Sequence, residues 1–95
     1  MSLFIYSINQ KFRKMKDLQK LAIQLNCYQS KADFIYYNDL NFIDTFCNGN
    51  IVQILYNRYE EYVFIITDSE GYSFVDRFES IEDISKHALK VIHNL

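Results

Sequence analysis

His87, His93, Cys27, Cys47 and the twelve Asp and Glu residues are the side chains through which this 95-residue chain could do chemistry. The two histidines stand in one stretch of helical periodicity. At about 100° per residue they project about 240° apart, so they cannot share a metal in the His-x-x-x-His manner. Neither cysteine has a second one at metal-ligand spacing, and two thiols are too few for a disulfide framework. Cys47 reads as a core residue. Cys27 and His87 could form a nucleophile and base, but no orienting motif accompanies them. Two glycines and no proline exclude a phosphate-cradling loop and a dinucleotide fingerprint, both of which need several glycines for backbone approach. The expectation is a protein that is not an enzyme and that uses no cofactor and no metal.

Charge carries more information. The formal net charge is -2, but its distribution is uneven. Residues 1–32 hold Lys11, Arg13, Lys14, Lys16, Lys20 and Lys31 against Asp17 alone, a balance of +5. Residues 33–83 hold Arg58 and Arg77 against eleven carboxylates, a balance of -9, and Lys86 and Lys90 close the chain at +2. Such segregation can mark a surface that recognises a charged partner.

The acidic middle folds onto itself in a definite register. Asp68-Ser69-Glu70-Gly71 suits a type I turn with a bulge glycine, joining antiparallel strands at Tyr62–Thr67 and Tyr72–Phe78. Pairing Asp68 with Tyr72 sets Tyr62 opposite Phe78 and Glu61 opposite Glu79, with Glu60, Asp76, Glu82 and Asp83 nearby and Arg58 and Arg77 against them. Like charges placed opposite each other destabilise a hairpin. A partner with a basic groove would neutralise them. Tyr59 and Tyr62, with Tyr56, surround Arg58 at the turn, and Tyr and Arg are favoured interface anchors. Tyr36-Tyr37 beside Asp39 form a second such group.

These residues predict a protein-binding module. The expected type is a small acidic inhibitor that engages the nucleic-acid-binding surface of another protein, such as a nuclease. Phage anti-defence, anti-CRISPR and immunity proteins have this size and charge. Phe, Tyr, Met, Ile, Asn and Lys outnumber Gly, Ala, Arg and Pro by 45 to 8, an AT-rich coding bias that fits low-GC bacteria, their phages and plasmids, and some protists. The alternative is a small dimeric nucleic-acid-binding regulator whose first helix tracks phosphates with Lys11, Arg13, Lys14, Lys16 and Lys20. A third reading is an oligomer, down to a homodimer, in which an uncovered sheet face pairs with itself.

The elements that must position these residues follow from periodicity. Residues 3–8 read as a strand. Lys11 to Cys27 reads as a helix capped by Asn9, with Phe12, Met15, Leu18, Leu21, Ala22 and Leu25 on its inner face and Asn26 near its end. Residues 33–37 predict a strand. A short helix is expected from Asn38 or Asp39 to Cys47, facing inward with Leu40, Ile43, Phe46 and Cys47 and stopped by Asn48-Gly49. Ile51–Tyr56 predicts another strand, followed by a turn without glycine. Ser80-Ile81-Glu82-Asp83 opens the last helix with a capping signal, and its inner stripe is Ile81, Ile84, Ala88, Val91, Ile92 and Leu95. Glu82–Lys86 and Asp83–His87 are i,i+4 pairs of favourable order.

The fold class expected over residues 1–95 is α+β: a single small two-layer domain. A mainly antiparallel sheet of four to five strands would be covered on one face by an N-terminal and a C-terminal amphipathic helix. Val63 to Ile66, apolar on both faces, predicts a central strand. No stretch of about 18 apolar residues occurs and the N-terminus lacks a secretory pattern, so the expected location is the cytoplasm, away from membranes.

Overall fold

The computed structural model describes residues 16–28 and 32–95. The strand expected at 3–8, the Asn9 cap and the first turns of the first helix lie outside them. The described chain is α+β. Helix α1 (Asp17–Tyr28) precedes strands β1 (Ile35–Tyr37), β2 (Phe42–Cys47), β3 (Asn50–Tyr56), β4 (Tyr62–Thr67) and β5 (Ser73–Phe78), and helix α2 (Ile81–His93) closes it. The strands form one antiparallel meander in chain order, β1-β2-β3-β4-β5. β3 is thus the middle strand, with β4 beside it. Val63 and Phe64 are buried on opposite faces of β4, as its doubly apolar sequence requires.

The expected short helix before Cys47 does not form; β2 occupies that segment. Strand alternation buries Ile43, Thr45 and Cys47 and turns Phe42, Asp44 and Phe46 to the other face. Phe46, assigned to a helical inner face, is 69% exposed, and Leu40 lies in the β1–β2 turn at 71% exposure. The deciding feature is Asn48-Gly49, with φ of 51° and 83°. Two successive left-handed residues make a type I′ turn, whose twist matches two antiparallel strands, and Cys47 pairs with Asn50 across it. The dipeptide that resembles a helix stop is here a hairpin turn.

Register fixes the two faces. Tyr36, Ile43, Ile54, Phe64 and Asp76 stand side by side across the sheet on one face. Ile43, Ile54 and Phe64, with Val52 from the neighbouring row, share one core cluster with Leu18, Leu21 and Leu25 of α1 and Ile84, Ala88 and Ile92 of α2. Ile81, Val91 and Leu95 pack against its margin. The stripe expected on the last helix is therefore the observed one. Ser80 caps this helix by accepting a hydrogen bond from the Asp83 N–H at 3.2 Å. At the other end of α1, the Asn26 side chain acts as a backbone surrogate. Its Nδ2 donates to the Phe34 carbonyl and its Oδ1 accepts from the Phe34 N–H, both at 2.9 Å, which anchors the approach to β1. Among the described residues no helix is long and apolar enough to cross a membrane.

Candidate functional site

Antiparallel pairing brings the β1–β2 and β3–β4 turns, the start of α1 and the start of α2 to the same end of the sheet. Carboxylates arrive there from each: Asp17, Asp39, Glu60, Glu61, Glu79, Glu82 and Asp83. The Tyr62–Phe78 pairing expected from the sequence is present, so Glu61, just before β4, and Glu79, just after β5, flank it at the same end of the sheet.

The loop that carries Glu60 and Glu61 is organised by Asn57. Its Oδ1 accepts from the Tyr59 and Glu61 N–H groups at 2.9 and 3.0 Å, its Nδ2 donates to Glu61 Oε1 at 3.3 Å, and its own N–H donates to the Glu61 carbonyl at 2.9 Å. The loop closes only with Glu60 at φ 63°. The following hairpin loop has the same construction. Asp68 Oδ1 accepts from the Glu70 and Tyr72 N–H groups, its N–H donates to the Tyr72 carbonyl, and Gly71 takes the left-handed position at φ 91°. A glutamate therefore stands where the sister loop has glycine, at a backbone conformation that costs a residue with a Cβ roughly 1–2 kcal/mol.

Behind the loop, Tyr62 joins the acidic end to the core. Its hydroxyl donates to Asp17 Oδ2 at 3.0 Å and its ring lies 4.7 Å from that of Tyr56. Burial, then the hydrogen bond to Asp17, then the negative surroundings of Asp17, Tyr56 and Glu82 push its hydroxyl up to about 12. Lys16, Asp17, Leu18, Asn41, Tyr56 and Tyr62 line an open cleft of about 380 Å³ here. Tyr36 donates to Asn41 Oδ1 at 2.9 Å, and burial raises its ionisation as well.

Two cations near this end are engaged elsewhere. The Arg58 guanidinium donates to the Tyr59 hydroxyl at 2.9 Å and stacks 5.0 Å from its ring centroid. Lys16 Nζ donates to the Asn38 carbonyl at 3.2 Å. Among the described residues, Glu60, Glu61, Glu79, Glu82 and Asp83 form no salt bridge with lysine or arginine.

Other residues singled out in the sequence are placed differently. Arg77 shares a cross-strand row with Val63, Leu55 and Phe42. It therefore occupies the sheet face opposite Asp76, and among the described residues it forms no salt bridge with a carboxylate. Asp76 lies on the helix side, its Oδ2 3.1 Å from His87 Nε2. That nitrogen is buried and has no hydrogen bond of acceptable direction, so the contact is electrostatic and counts as an ion pair only while the imidazole is protonated. His87 packs 4.9 Å from both the Phe64 and Phe78 rings, and its short contact is with Asp76, not with Asp83 as helical spacing suggests. Cys47 is buried and Cys27 exposed. Lys20 is half-buried on α1, while Lys11, Arg13, Lys14 and Lys31 lie outside the described residues. Among the described residues no group of three or more His, Cys, Asp or Glu is placed to hold a metal ion.

Sequence reasoning missed Asp17, Asn57 and the conformation of Glu60. The signal for the last two was present: Asn57 and Asp68 each precede an acidic or turn-forming stretch of the same length between paired strands. The chain matches no protein-family model, no curated protein and no solved structure.

Proposed function

We propose that this protein is a non-enzymatic binding module that presents the acidic end of its sheet to a basic surface on another protein. The observation that carries the reading is Glu60 at φ 63° in a loop whose sister uses glycine. Strained backbone persists where the side chain it displays is useful. Here the loop displays a carboxylate at the end of the sheet that also carries Glu61, Glu79 and Glu82, with Arg58 held to Tyr59. Such a surface imitates the charge of a phosphate backbone and suits a nucleic-acid-binding groove lined with Arg and Lys. The corresponding biological role is an inhibitor of a nuclease or related effector in the cytoplasm, of the phage anti-defence, anti-CRISPR or immunity-protein kind.

The test is capture from cells of the native host or its infected culture, with bound protein identified by mass spectrometry. Wild type is compared with the triple variant Glu60→Lys, Glu61→Lys, Glu79→Lys, and with Glu70→Lys at the opposite end of the sheet. A basic nucleic-acid-binding protein retained by wild type and Glu70→Lys, and released by the triple variant, supports the proposal. Equal retention by all three overturns it.

A further inference from the structure

The sheet face turned away from the helices carries Ile35, Phe46, Ile51 and Val75, each more than 40% exposed, together with the half-buried Phe42, Leu55 and Ile65. Val63 in its middle is buried, while the apolar residues around it stay open or half-open to solvent. An apolar face of this extent marks an interaction site. A two-fold overlap of the four strands β2 to β5, spaced about 4.8 Å apart and about 20 Å long, gives a face of roughly 19 by 20 Å; pairing two such faces removes on the order of 800 Å² from water, the size of a weak, reversible interface.

Its charges indicate what pairs with it. At one side a cleft of about 370 Å³ is formed by Asp33, Ile35, Asp44, Thr45, Phe46 and Ile51, with two carboxylates set among apolar walls. At the other side Arg77 on β5 is exposed, and among the described residues it has no carboxylate partner. A cleft with acidic groups and apolar walls suits an arginine, whose stem is apolar and whose head is a fixed cation. The same face thus holds a cation and an acidic receptor on opposite flanks, the arrangement an isologous contact requires.

We infer that this face is the interface of a homodimer in which Arg77 of each copy enters the Asp33–Asp44 cleft of the other. A two-fold axis running along the strands between β3 and β4 lays β5 of one copy over β2 of the other. Arg77 then arrives level with Phe42, its own cross-strand neighbour row, two residues and about 7 Å along the strand from Asp44. An extended arginine spans that distance across sheets packed about 10 Å apart. Its stem crosses Phe42, and its head reaches the two carboxylates. The contact occurs twice, and the apolar rows between close on each other.

Sedimentation equilibrium of the full chain tests the inference, with circular dichroism confirming that each variant is folded. Wild type is expected to show a monomer–dimer equilibrium at micromolar concentrations. Arg77→Glu and Asp44→Lys each place like charges together twice and should weaken the dimer at least about tenfold. Combining them restores opposite charges and should return the dissociation constant to within about threefold of wild type. Phe46→Glu, on an exposed position of the cleft wall, should also dissociate the dimer while leaving the fold intact. A wild type that is monomeric throughout, as when a different protein or another segment of the chain covers this face, overturns the inference. So does a double variant no tighter than either single one, or a dimer unaffected by Phe46→Glu.

Discussion

Glu60 and Gly71 hold equivalent positions in two hairpin loops built on the same hydrogen bonds, one opened by Asn57 and the other by Asp68. The backbone asks for the left-handed conformation at both, and only Gly71 adopts it without a steric cost. Glu60→Gly should therefore stabilise the protein by about 1 kcal/mol, raising Tm by roughly 4–8 °C for a domain this size. Gly71→Ala should destabilise by a similar amount; its Cβ would meet nothing within 4 Å, so the effect is purely conformational. Thermal denaturation followed by circular dichroism measures both. If Glu60 belongs to a contact surface, the stabilised Glu60→Gly variant should bind its partner more weakly, separating stability from function.

Tyr62 supplies a pH-dependent prediction. Its folded-state ionisation is raised from 10.0 to about 12, so between these values the folded protein keeps a proton that the unfolded chain releases. Stability contributed by this group is complete below pH 10 and is lost as pH rises towards 12. Urea denaturation across the alkaline range should show a steeper decline for wild type than for Tyr62→Phe. An ultraviolet phenolate titration should find Tyr62 ionising last, after the exposed tyrosines and Tyr36, and that last step should vanish in the variant. Unchanged late titration in Tyr62→Phe would assign it to another tyrosine.

Asn26 replaces a strand partner for Phe34 by giving and accepting one hydrogen bond with its backbone. Asn26→Ala leaves that N–H and carbonyl without these partners and should cost about 1–3 kcal/mol. Asn26→Asp can accept from the N–H but cannot donate to the carbonyl, and it should fall between wild type and Asn26→Ala. The denaturation midpoint distinguishes the three. Equal stability for all would mean that water replaces the amide at no cost.

The β2 assignment predicts a pattern that a helix would not give. Ile43→Ala creates a cavity against Ile54 and the helices and should cost about 2–5 kcal/mol. Leu40→Ala, in an exposed turn, should stay within about 0.5 kcal/mol of wild type. On the inner face of a short helix both would be costly. Replacing Asn48-Gly49 by Ala-Ala should also destabilise strongly, because both residues sit at positive φ.

Local rules made much of this legible. The β4–β5 hairpin was readable because Asp68 and Gly71 stand at the two turn positions that require them, and because Tyr62–Thr67 is β-branched and aromatic throughout. The last helix was readable because Ser80 caps it and its apolar residues recur at helical spacing. The segment ending at Cys47 was misread because Leu40, Ile43 and Cys47 also satisfy helical spacing over so few residues. Only pairing with β3 selects the extended form.

The site divides along the same line. The excess of acid in the middle of the chain, and the Tyr62–Phe78 pairing that Glu61 and Glu79 adjoin, depend on spacing and on one turn, so the sequence alone determines them. The joining of Asp17 to Tyr62 depends on where α1 docks, which is a long-range packing outcome. The separation of Arg77 from Asp76 has a different cause. Strand alternation sends Asp76 and Arg77 to opposite faces, but which face lies under the helices is decided only when Phe64 and its neighbours enter the shared core. That choice places the cation on the open face, away from Asp76 and His87.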